Sequence, residues 1–409
     1  MIAKKTQIPS VLLLIGAGFI VRISPWFSQL EGAVDILITL NILGVIGLIM
    51  IVLEAAMDLK LTRDRLPLIL RALVISGLLL VITSGAIGFI IHRSVDIDFK
   101  NALLYALPLS VMSSAIIIPS VEKLSRNKRE FMIYESTFSD ILGIILFYML
   151  LDWFRISELK DVFIQTAGKL SITVLFSFGI TLALTFLFQR MFNEINYFLI
   201  FAILLLIYAI GKEFHLSALI LILVFGIMIN NKAIFFRGIF KRVVHDETYE
   251  TILKNLKLFV KDTAFLVRTF FFFFFGLSIS PEAFITLNTY YVVGIILLAL
   301  YLIRYFSLKI FVRSNTLLEL FLAPRGLITI LLLFSIPEEL LIDQFPEDIT
   351  FMVIIATNLI MMFALMNQKE KLGGLEQELP EGISQEAEIT EGINISDTPS
   401  NQNTEDKEQ

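Results

Sequence analysis

Apolar residues in this chain do not form a single helical stripe. They fill runs of about twenty positions, each closed by a cluster of charged, proline or glycine residues. An all-round apolar run of about 20 residues matches a helix crossing about 30 Å of hydrocarbon. Twelve such runs are read, at about 9–23, 34–56, 67–91, 101–121, 132–153, 162–188, 196–210, 215–230, 258–278, 289–312, 317–336 and 349–367. The first is short, but it stays apolar to Val21 without a small-residue cleavage site, so it is kept as a helix rather than a signal peptide. The predicted fold class is an all-α polytopic membrane protein with about 12 transmembrane helices.

Composition agrees. Of 409 residues 56% are apolar and 17% charged, against about 45–50% and 25% in water-soluble domains. The absence of cysteine excludes disulfides, thiolate metal sites and cysteine nucleophiles. The three histidines, His92, His215 and His245, fall at span ends or in loops, and no metalloprotease, nucleophile-elbow or P-loop motif is present. An enzyme is not expected, nor a cofactor, nor a nucleic-acid partner. A channel would need rings of charge or carbonyls around a continuous path, and no filter-like loop is visible.

The net charge of −5 has two unlike parts. From Gln368 onward eleven acids face three lysines, giving −8 and leaving +3 for residues 1–367. The segment 368–409 has no aromatic residue and little hydrophobic periodicity, and is read as a disordered acidic tail. Lysines and arginines favour cytoplasmic loops. Alternate segments carry clusters such as Lys4 with Lys5, Lys123 through Arg129, and Lys232 through Lys257, whereas the opposite segments carry few. Both termini are therefore expected in the cytoplasm, which makes the Asn394 glycosylation sequon accidental. His245, beside Asp246 and Glu247, reads as a solvated loop histidine.

Ionisable residues in hydrocarbon are costly, about +2.5 to 3.5 kcal/mol each on insertion scales, and so draw attention. Four stand out: Glu135 and Asp140 in span five, and Arg304 and Arg325 in spans ten and eleven. Arg268 is a fifth, near enough to Lys261 and Asp262 to reach the interface by snorkelling. At 100° per residue Glu135 and Asp140 point to different sides of their helix, which implies different jobs. Ser136 shares a face with Asp140 and Ser139 is adjacent, an oxygen cluster suited to a proton or a hard monovalent cation. The alternative is an Asp140 merely salt-bridged to an arginine. Glu135 reads as a fixed ion pair. Glu54 and Asp58 are expected to interact with Lys60 or Arg63, and Phe270 through Phe275 to face lipid or another subunit.

Two spans carry breakers at depth. Span four contains Pro108, Ser110, Ser113, Ser114 and Pro119; span eleven contains Pro324, Arg325 and Gly326. Proline deletes a helical hydrogen bond, and interrupted helices at matching places in two halves point to a transporter built from inverted repeats. Spans three to five and ten to twelve would be those units.

These residues resemble a family. Glu135-Ser136-x-x-Ser139-Asp140 is similar to the Glu-Ser-x-x-Asn-Asp motif of sodium/proton antiporters in the monovalent cation/proton antiporter superfamily. The upstream basic loop SRNKREFMIYES, the APRGLITILLLF segment and the arginine-bearing LYLIRYFSLKIF helix fit in the same order, over about residues 35–367. The resemblance implies two crossed discontinuous helices, core helices at about 67–153 and 289–367, and scaffold or dimer helices at about 9–56 and 162–278. It further implies a homodimer. Asp140 would be the ion- and proton-binding carboxylate, with Ser139, Ser136, Ser113 and Ser114 around it. Glu135 and Arg325 would form a stabilising ion pair, and Arg304 would be the basic residue of the core.

Two departures are present: Thr-Asp-Pro of the first broken helix is Ser113-Ser114-Ala115, and Asn-Asp is Ser139-Asp140. The expected function is exchange of Na⁺, or another monovalent cation such as K⁺, for H⁺ at the cell membrane. With one exchangeable carboxylate the exchange is expected to be electroneutral. The alternative from another class is a transporter-like sensor that carries no ion flux.

Overall fold

The computed structural model describes residues 10–24, 36–59, 61–121, 124–156, 159–190, 197–213, 218–235, 246–279, 287–311, 317–342 and 347–378. These residues are almost wholly helical. The principal helices are α1 (Ser10–Arg22), α2 (Ile36–Asp58), α3 (Leu66–Val95), α4a (Phe99–Ser110), α4b (Ser114–Ser120), α5 (Arg126–Arg155) and α6 (Leu159–Arg190). They continue with α7 (Tyr197–Glu213), α8 (Ala218–Asn230), α9 (Asp246–Ser278), α10 (Leu287–Phe311), α11a (Leu317–Phe321), α11b (Leu327–Phe334) and α12 (Glu347–Glu378).

Every predicted span falls on one of these helices or on a broken pair. Among the described residues six segments are both long and apolar enough to cross a bilayer, counting α4a with α4b as one. Two helices run well past their predicted bounds. α9 begins at Asp246, twelve residues before the predicted 258, because its first part is amphipathic rather than apolar. α12 continues to Glu378, into the segment read as tail. Residues 379–409, His215 and His245 lie outside the described residues.

Local chemistry explains where the elements begin and stop. Pro67 sits in the first turn of α3, where its missing N–H costs nothing. Asp98 caps α4a by accepting from the Lys100 amide at 3.0 Å. The ends of α2 and α8 are tied together by side-chain amides: Asn230 and Asn231 both donate to the Leu59 carbonyl, at 2.9 and 2.8 Å, and Asn231 accepts from the Leu61 amide at 2.7 Å. These bonds satisfy backbone groups that a helix end leaves open.

Helices α3, α4a, α5 and α10 pack on one another, with α11b against α4a. A second cluster joins α1, α2, α8 and α9, with α6 and α7 on α8. α2 touches both, resting on α4b, α5 and α11b. The α1–α9 crossing is closed by two glycines: a Cβ at Gly18 would meet the Phe273 carbonyl, and one at Gly276 the Ile15 carbonyl. Small residues allow this backbone approach, which supplies the packing that drives helix association in lipid.

Two expectations are corrected in this cluster. Phe271 and Phe272 are fully buried and Phe275 nearly so, with the Phe275 ring 5.5 Å from that of Phe351; only Phe270 faces outward by half. Half of the phenylalanine run is core because α9 is covered by α1 and α2. Arg268 does not depend on snorkelling: its Nη2 donates to the Glu54 carboxylate at 3.2 Å, across the α2–α9 contact, while Lys60 and the Arg63 side chain, the partners expected for Glu54, lie outside the described residues. Arg268 therefore reaches a partner within the protein rather than the interface.

Candidate functional site

The site grows from the two interruptions. Proline at 108 removes a donor from α4a, and after Ser110 the backbone turns extended through Val111 (φ −69°, ψ 130°) and Ser113 (φ −77°, ψ 110°). In the other segment, residues 322–326 separate α11a from α11b, with Pro324 at the centre. Irregular backbone at bilayer depth must find its hydrogen bonds inside the protein.

It finds them in neighbouring residues. The Ser113 amide donates to the Pro324 carbonyl at 3.0 Å, so the two interruptions bond directly. The Met112 amide donates to Ser139 Oγ on α5 at 2.9 Å. On the other side α12 serves Arg325: Thr357 Oγ1 accepts its amide at 3.1 Å and Asn358 Nδ2 donates to its carbonyl at 2.8 Å. Close contact is kept by two glycines. A Cβ at Gly326 would lie 2.6 Å from Ser113 Oγ, and one at Gly143 would lie 2.5 Å from Val111 Cγ2.

Asp140 projects from α5 onto the start of α4b and is 3% exposed. Its Oδ2 accepts from the Ser114 amide at 3.2 Å and from the Ser114 hydroxyl. Its Oδ1 is buried and has no hydrogen-bond partner among the described residues. No arginine or lysine among the described residues pairs with it. A buried carboxylate oxygen with nothing to accept from is costly, so it calls for a proton or a cation.

Both core arginines are engaged elsewhere. Arg304 grips Glu135 with two parallel bonds, Nη1 to Oε1 at 2.8 Å and Nη2 to Oε2 at 3.0 Å, while its Nε donates to the Glu319 carbonyl at 3.0 Å. Arg325 donates from Nε to the Leu109 carbonyl and from Nη1 to the Ala323 carbonyl, both at 2.8 Å. The expected Glu135–Arg325 ion pair is thus corrected to Glu135–Arg304. The physical reason lies in the interruptions: Leu109 and Ala323 are carbonyls at broken helix ends, without donors from a following turn, and they take the guanidinium nearest to them. α10 then brings Arg304 to the carboxylate.

Of the remaining predicted ligands, Ser114 meets Asp140 directly and Ser139 holds the first interruption. Ser113 lies at the junction, under Gly326. Ser136 is fully buried, but its hydroxyl donates to the Ile133 carbonyl at 3.2 Å, one turn back on its own helix. Thr357 and Asn358 were missed by sequence reasoning, although an adjacent Thr-Asn pair inside the apolar run FMVIIATNLIMMF was the available signal. Tyr301, whose hydroxyl is buried and has no partner among the described residues, gave no signal because tyrosine is ordinary in an apolar helix.

The fold has counterparts. The sodium proton antiporter MjNhaP1 from Methanocaldococcus jannaschii, in its structure at pH 8, superposes with a TM-score of 0.63 at 21% identity, covering 92% of this chain and 94% of that one. Its electron-microscopy map gives 0.62 at 21% identity, covering 92% and 93%. At that identity the likeness is one of fold. No curated protein matches the chain. The family described as sodium/hydrogen exchanger, transmembrane, matches residues 1–367, and the chain belongs to that family of multi-pass membrane transporters.

Proposed function

We propose that the chain exchanges Na⁺, or another monovalent cation, for H⁺, and that Asp140 holds each in turn as its helices face one side of the membrane and then the other. The observation that carries this reading is the Oδ1 of Asp140, beside the interruption of α4 and without a hydrogen-bond partner or a paired arginine among the described residues. Ser114 Oγ and the carboxylate offer hard oxygen ligands of the kind an alkali cation takes. Among the described residues no three acidic or histidine side chains cluster, which supports a singly charged cargo rather than a divalent one.

Obligatory exchange follows from electrostatics. An empty, ionised Asp140 crosses a low-dielectric barrier only at high cost, whereas the proton- or cation-loaded form crosses as a neutral site. Arg304 and Arg325 are both fixed by their hydrogen bonds, and neither is a second carboxylate that could exchange a proton for a cation. One exchangeable carboxylate gives one H⁺ per cation and no net charge moved. The 21%-identical fold counterpart is itself a sodium proton antiporter, which agrees with this reading.

The test is a vesicle assay with the full chain: a Na⁺ pulse collapses an imposed pH gradient, an imposed membrane potential leaves the rate unchanged, and Asp140→Asn abolishes the response. A full-rate response in Asp140→Asn rules out Asp140 as carrier. A silent wild-type protein with every alkali cation points instead to a sensor.

A further inference from the structure

Behind the interruptions, on the side of α5 that carries Glu135 and Ser139, lies a cavity of about 20 Å³. All of its walls come from α3, α4a and the residues after it, α5, α10, α12 and the α11 interruption, and Asp140 does not line it. The lining includes Ser76, Glu135, Ser139, Tyr301, Arg304 and Arg325. That volume holds about one small particle.

The wall is rich in donors and poor in acceptors. The Tyr301 hydroxyl has no partner among the described residues. Ser139 Oγ accepts from the Met112 amide and gives its own hydrogen to nothing described. Arg325 uses its amide, Nε and Nη1, leaving Nη2 without a described acceptor. Both Glu135 oxygens are already bonded to Arg304, so the only carboxylate on the wall is neutralised.

Charge points the same way. Arg304 and Glu135 cancel, while Arg325 meets two carbonyls and no carboxylate among the described residues. Carbonyls at broken helix ends carry no formal charge and offset only part of a guanidinium's. The remainder is buried, and a buried charge calls for a counter-charge.

We propose that this cavity binds one monovalent anion of halide size, held by Tyr301, Ser139 and Arg325. Chloride fits the chemistry: it accepts several hydrogen bonds, donates none and carries a single charge. The anion is a structural counter-ion of the interrupted helices and is not the transported species.

The experiment uses the full chain in detergent. Unfolding temperature is followed as NaCl or NaBr replaces sodium gluconate at constant ionic strength. The expected result is a saturable rise with chloride and bromide, with the half-saturating concentration raised about tenfold in Tyr301→Phe, the loss of one hydrogen bond to a charged group. For the unmutated protein, crystals grown in bromide are expected to give one anomalous peak between Tyr301 and Arg325. Equal unfolding temperatures in chloride and gluconate, or a bromide map without that peak, overturn the proposal and leave a water in the cavity. Because the readout is stability rather than transport, such a failure leaves the exchange reading intact.

Discussion

Glu135 and Arg304 form a two-pronged ion pair in the interior, with Nη1–Oε1 at 2.8 Å and side chains 1% and 6% exposed. Removing one partner of such a pair leaves a buried charge unmatched and typically costs about 3–5 kcal/mol. Glu135→Gln is predicted to lower the unfolding temperature sharply. A double-mutant cycle of Glu135→Gln with Arg304→Met is predicted to show coupling of about 1 kcal/mol or more. The same cycle with Arg325→Met should show much less, because Arg325 bonds to Leu109 and Ala323 carbonyls instead. Stronger coupling to Arg325 would restore the pairing implied by family resemblance.

Ser114 supplies both described donors to Asp140 Oδ2. Ser114→Ala keeps the backbone bond and deletes the hydroxyl, which in the proposed exchange is also a ligand oxygen. The half-saturating Na⁺ concentration for exchange is predicted to rise about tenfold, the equivalent of about 1.4 kcal/mol, with protein yield and unfolding temperature little changed. An unaltered Na⁺ dependence would remove Ser114 from the ion site.

Gly143 and Gly326 hold the first interruption between α5 and the second interruption. Gly143→Ala would press a methyl to 2.5 Å from Val111, and Gly326→Ala to 2.6 Å from Ser113 Oγ. Overpacking of this kind costs about 1–3 kcal/mol. Both variants are predicted to lose stability and exchange together, measured by unfolding temperature and the vesicle assay. Gly85→Ala, with open space around its would-be Cβ, is the control and should lose neither.

The spans and both interruptions were legible in the sequence because their causes are local: long apolar runs make helices, and Pro108 and Pro324 remove donors wherever they stand. Asp140 was legible because an acid in hydrocarbon needs a reason. The partner of Glu135 was not. Helical spacing fixes the angle between Glu135 and Asp140 on α5 but says nothing about which arginine another helix brings near. Arg325 was diverted by carbonyls that exist only because α4 and α11 both break. Ser139 shows the same limit: its neighbour in sequence is Asp140, yet its hydroxyl accepts from Met112 on the extended segment. Phe271 and Phe272 read as facing lipid or another subunit because composition cannot distinguish either from the sides of α1 and α2.

The most direct test is competition between protons and sodium, measured as exchange rate against Na⁺ concentration over a series of pH values. If both share Asp140 Oδ1, each tenfold increase in H⁺ in the acidic range raises the half-saturating Na⁺ concentration about tenfold while the maximal rate holds. A half-saturating Na⁺ concentration that stays constant as pH falls, or saturable exchange surviving in Asp140→Asn, contradicts the account.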